Sequence, residues 1–218
     1  MSNHTAKRKR VRFAPLVLAT SVAAAALLSV SMSGTLSGFV ASITNTNNTA
    51  ASGSLVMEEK STGANPVTCL STDGGSVSTN TATCSTINKF GGSTTMIPGQ
   101  TVTTAITIKN AGTVSANTFT LTPGAKCEQT ANTAAGTLSG TATDFCSKLN
   151  VVITSGSTTV YSGTAAALAG SAAKSLATAP VTAGTSTPFT IAVTLDSSAG
   201  NTYQGLSGSL PLTWTFAS

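Results

Sequence analysis

Residues 97–110, IPGQTVTTAITIKN, decide the fold. Pro98-Gly99 supplies a turn, and beyond it Val102, Thr104, Ile106 and Ile108 alternate with Thr101, Thr103, Ala105 and Thr107. A period of two is the mark of a strand with one face in a core and the other in water. Downstream, Asn110-Ala111-Gly112-Thr113 predicts a turn, with residues 114–122 running back as the second strand of a hairpin. Residues 149–154 and 158–161 read as another hairpin around Ser155-Gly156-Ser157. Phe189, Ile191, Val193 and Leu195 alternate in 188–195, as do Leu210, Leu212, Trp214 and Phe216 in 209–216. Those two segments carry the bulkiest apolar side chains and are expected at the centre of the core. Upstream, 54–57 reads as the first strand. The alanine-rich stretch 164–177 is the one helical prospect, with Leu168 and Leu176 inward and Gly170 weakening it. The pattern predicts an all-β chain: an antiparallel, jelly-roll-like β-sandwich with at most one short helix and two cysteine-bearing inserts, 58–95 and 123–148.

Composition narrows the function. Five of the eleven basic residues, Lys7, Arg8, Lys9, Arg10 and Arg12, crowd the N-terminus; the rest of the chain has six lysines against all six acids. Its formal charge is therefore about zero, and it lacks the basic cluster that neutralises phosphates, so nucleic acid is not an expected partner. Thr, Ser, Ala, Gly and Asn dominate, and threonine and valine suit a pleated, half-buried surface.

The basic head is followed by an apolar run from Phe13 to about Val30, and no charge occurs between Phe13 and Met57. Basic head, apolar middle and small-residue exit form a secretory leader, residues 1–38. The same run is long enough to span a bilayer, so an uncleaved leader would be the one route to a membrane. A small-x-small cleavage site is not clean: Gly38 has Leu36 two positions before it, and Ala41 has Phe39. The cut is expected between Gly38 and Ala41. Residues 39–53 then form an extension in which Phe39, Ala41 and Ile43 alternate with Val40, Ser42 and Thr44 before an Asn-rich tether. Residues 54–218 form the domain.

Cys69, Cys84, Cys127 and Cys146 are the only cysteines. An even count in an exported chain predicts two disulfides, with three connectivities open. The sequential one, Cys69–Cys84 and Cys127–Cys146, is the expected one, and each bridge then staples a local loop. Zinc is the alternative, but there is no CxxC pair and the sole histidine, His4, lies in the leader. Without a histidine beyond it, a Ser-His-Asp triad, a Cys-His pair and an HExxH site are all excluded. Glu58-Glu59 is the only tight acidic pair; neighbours on a strand face opposite ways. Asp73, Asp144 and Asp196 stand alone in sequence, so no calcium loop is expected. No catalytic residue, metal site or cofactor is predicted.

Three stretches resemble one family. GTLSGF at 34–39 with AASGSLVM at 50–57, PGQTVTTAITIKNAGTVSANTFTL at 98–121, and the Tyr203-Gln204-Gly205 turn before the last strand are similar, in order, to the TasA/CalY (camelysin) proteins. These are secreted fibre-forming proteins of biofilm matrices, processed by a dedicated signal peptidase. The two cysteine-bearing inserts depart from the family. The resemblance implies cleavage after Gly38, leaving Phe39 first, and a structural subunit that self-associates into filaments by donor-strand exchange, with room for a minor co-assembling subunit. Phe39, Ala41 and Ile43 would then be the inward residues of the donor strand. Camelysins are also described as metalloproteases, an activity for which this chain lacks the histidines. A monomeric secreted or cell-surface adhesion module of immunoglobulin-like build is the competing expectation.

Overall fold

The computed structural model describes residues 43, 49–75, 78–136 and 138–218. The expected leader 1–38, the expected cleavage site at Gly38 and Phe39, and the expected assembly residue Ala41 lie outside the described residues. The folded unit runs Ala51–Ser218. It is all-β, with every strand pair antiparallel.

The predicted strand is β3, Thr101–Asn110. It is the axis of a six-stranded sheet in the order β2-β1-β3-β9-β6-β7, where β1 is Met57–Ser61, β2 Thr68–Leu70, β6 Leu149–Ser155, β7 Thr158–Thr164 and β9 Ser186–Leu195. The alternation translates directly into burial. Ile106, Ile108, Val151, Ile153, Phe189, Ile191 and Val193 point inward and are at most 2 % exposed. The expected 149–161 hairpin forms, and Gly156 turns it with a φ of 56°, a backbone region open chiefly to glycine.

The opposite layer is a three-stranded sheet, β11-β4-β8, of Thr118–Pro123 (β4), Lys174–Ser175 (β8) and Leu212–Ala217 (β11). A two-stranded ribbon pairs Glu128–Ala131 (β5) with Leu206–Ser209 (β10). The layers meet through aromatic rings: Phe119 meets Phe189 edge-on at 5.9 Å, and Phe189 meets Trp214 at 6.0 Å. Burying each such ring contributes about 1.5–3 kcal/mol.

Four sequence expectations are corrected. Residues 114–122 do not return along β3, because both edges of β3 are already taken, by β1 and β9. The chain instead crosses to the other layer through Ala116, fully buried and bridged to Val181. The helix proposed over 164–177 is a single turn, Ala165–Leu168, capped by Thr164. The chain leaves the helix at Ala169, whose ψ is 131°, one residue before Gly170 with its φ of 68°. Segment 209–216 is two strands rather than one, broken at Leu210-Pro211; proline has no N–H to give a ladder. Finally, the first strand begins at Met57. Residues 54–56 lie instead across the 111–114 turn, where Thr113 N donates to Ser54 O and Ala111 N to Val56 O, both at 2.8 Å. Gly112 makes that crossing possible: a Cβ there would meet Val56 N at 2.7 Å and Leu55 Cα at 2.9 Å.

Both disulfides form in the sequential pairing. Cys69–Cys84 ties β2 to the loop that follows it, and Cys127–Cys146 ties the entry to β5 to the short turn Phe145–Ser147. Two disulfides fit an oxidising compartment. Among the described residues no helix is long and apolar enough to cross a membrane.

Candidate functional site

A cleft of about 1430 Å³ runs along β11. One wall is β11 itself, with Leu212, Trp214 and Phe216 turned inward. The floor is the inner face of β1, Met57 and Glu59 with Leu55 just ahead. The opposite wall is the first cysteine-bearing insert, bringing Ile87, Lys89 and Phe90. The sequence shows no functional signal in this insert, yet it supplies a large part of the lining. Cys69–Cys84 anchors it, and both cysteines line the cleft.

The main chain of β11 is open toward this space. Gly124 N donates to Pro211 O at 2.8 Å, and on the far side of β4 Leu176 N donates to Phe119 O at 2.8 Å. Ladder bonds alternate along an antiparallel pair. Given the β4–β11 register, Thr213, Thr215 and Ala217 therefore bond to β4. The N–H and C=O groups of Leu212, Trp214 and Phe216 point away from it. No other strand among the described residues pairs with that edge.

Edge strands invite pairing unless blunted by charge, proline, a bulge or brevity. The other edges of the two main sheets are guarded. β2 has three residues and a disulfide, β8 has two residues, and the β6–β7 pairing carries a register shift between Ile153 and Thr154. β11 is six residues of LTWTFA, in regular register with β4, and has none of these devices.

Apolar side chains share the cleft with Ser, Thr and Asn, and an ion pair stands among them. Lys89 Nζ lies 2.8 Å from Glu59 Oε1 and 3.0 Å from Oε2, with the two side chains only 14 % and 12 % exposed. The same ammonium sits 5.8 Å from the centroid of the Trp214 ring, within reach of a cation–π attraction. Trp214 is 8 % exposed, and its Nε1 finds no hydrogen-bond partner among the described residues. The Glu58-Glu59 pair thus splits across the faces of β1, and only Glu59 enters the cleft. At the rim, Tyr203 Oη donates to Asp144 Oδ1 at 2.8 Å. That bond, with some desolvation, holds the phenol above its ordinary pKa.

Of the sequence-predicted assembly residues, Ile43 alone is described, and at 92 % exposure it is the most open large apolar side chain among the exposed ones. The described residues contain no group of three or more His, Cys, Asp or Glu arranged to hold a metal. Fold and cleft together define a class: a disulfide-stapled antiparallel β domain with one unguarded edge beside an apolar groove. Comparison with known proteins adds no closer identity, since no family model and no curated protein matches the chain.

Proposed function

We propose that this chain is an exported structural subunit that assembles head to tail, residues 39–44 of one copy entering the cleft of the next and pairing with β11. The open edge of β11 carries this reading. It is six residues long, and its main-chain groups at Leu212, Trp214 and Phe216 face an apolar groove. The segment 39–44 is also six residues long, uncharged, and alternates Phe39, Ala41 and Ile43 with Val40, Ser42 and Thr44. Strand addition draws affinity from main-chain bonds and specificity from alternate side chains. A contact between different surfaces that does not close on itself propagates as a filament. The tether 45–53 spans up to about 3.3–3.6 Å per residue when extended, ample to reach a neighbour. The leader 1–38 and the two disulfides accord with assembly outside the cell, as in the TasA-like proteins the sequence resembles.

Deleting residues 39–44 from the exported form is the test. The truncated protein is expected to stay folded and monomeric, and a synthetic peptide of that sequence to block growth of intact protein, both followed by electron microscopy and sedimentation. Filaments formed by the truncated protein as readily as by the intact one would overturn the reading.

A further inference from the structure

The cleft is not a uniform apolar slot. Trp214 is the third of six residues in β11, and Glu59 the third of five in β1. The Lys89 ammonium joins them, 2.8 Å from Glu59 and 5.8 Å from the Trp214 ring, so a bulky indole and a nearly buried ion pair stand together at the middle of these two strands. Along β11, Leu212 and Phe216 flank Trp214 on the same face of the strand, and all three line the groove. The segment 39–44 has the complementary profile: its inward residues are Phe39, Ala41 and Ile43, large, small, large.

We propose that Trp214 and the Glu59–Lys89 pair set the register of the incoming strand by admitting only a small side chain, Ala41 of a second copy, at the centre of the cleft. The inference rests on the assembly reading above and adds a selectivity element to it. A slip of one residue would turn Val40, Ser42 and Thr44 inward. A slip of two would drive Phe39 or Ile43 against Trp214 and the ion pair, where an apolar group would desolvate the charges without offering them a hydrogen bond. Buried polar pairs are best attested in this role, fixing register rather than adding stability.

Assembly of the whole exported chain tests the point, read as the critical concentration for filament formation by sedimentation. Ala41→Leu should raise it at least about tenfold, while Ala41→Ser, which keeps the size, should leave it within about threefold. Combining Ala41→Leu with Glu59→Ala and Lys89→Ala makes room beside Trp214 and should restore assembly to within about threefold of the parent. An Ala41→Leu chain that assembles like the parent overturns the inference, and so does a folded triple variant that fails to recover. A second measurement needs no change in the cleft: the peptide of residues 39–44 with Leu at position 41 should inhibit growth of the unaltered protein about tenfold less well than the native peptide. Equal inhibition by the two peptides overturns the register role and leaves strand donation standing. No inhibition by either overturns strand donation as well.

Discussion

Asn110 holds three segments together from a position with no solvent exposure. Its Nδ2 donates to Val114 O and to Val181 O, each at 2.9 Å, and its Oδ1 accepts from Gly112 N at 3.1 Å. The sequence marks this residue only as the start of a turn. Its second task, pinning the segment around Val181 from 71 residues away, has no local signature. Asn110→Ala would leave the Val114 carbonyl and the Gly112 N–H without partners and Val181 O with only its bond from Ala116 N at 3.0 Å. Each such orphan costs about 1–3 kcal/mol, so a loss of about 2 kcal/mol or more is expected in chemical denaturation. A second residue-scale expectation concerns Asp196, whose carboxylate accepts from Ser198 Oγ at 2.6 Å and from Ser198 N at 2.8 Å. The hydroxyl bond, then the amide bond, hold its pKa below the ordinary aspartate value. A depressed folded-state pKa means that the stabilisation is present above the unfolded value and fades as pH falls through the folded one. Ser198→Ala should move the Asp196 titration, followed by carboxyl NMR, upward toward the usual range.

At the scale of elements, β3, β6 and β9 were legible because each alternates over a buried face, and β7 because the Ser155-Gly156-Ser157 turn folds it back on β6. What each strand pairs with was not. The chain from Asn110 to Phe119 looks like a hairpin in every local respect, and only the prior claims of β1 and β9 on the edges of β3 send it to the other sheet. The cleft was illegible for the same reason: Glu59 and Lys89 lie 30 residues apart, and Trp214 a further 125. By contrast, the break at Pro211 and the shortened helix before Gly170 follow from chemistry visible in the sequence. The cysteine pairing was also legible, since each bridge closes a short loop, of separations 15 and 19. Replacing Cys69 and Cys84 together by serine should cost about 3 kcal/mol. The β-sheet circular dichroism should persist, because the central strands lie elsewhere. Hydrogen exchange should rise most in the insert that walls the cleft, so assembly should weaken more than folding does.

For the whole molecule, the balance of charge beyond residue 38 would govern contact between copies in the proposed assembly. Six lysines face six acids, with no arginine, and the one ion pair in the cleft is shielded from solvent. Long-range repulsion between copies is therefore small, and added salt has little to screen. The critical concentration for assembly should change by less than about threefold between about 0.05 and 0.5 M salt. A steep dependence would place the growth contact on a charged surface instead. The crossing of residues 54–56 over the 111–114 turn bears on a different property, resistance to force. A pull on the chain ahead of Ser54 first loads the bonds to Thr113 and Ala111, then drags β1 lengthwise against its neighbours. β1 is held by five paired residues of β3 on one side and three of β2 on the other. Those bonds lie across the line of pull, so they resist in shear and must yield together rather than peel one at a time. A pull on the chain ahead of Ser54 would thereby pass through β1 into β3, inside the largest sheet.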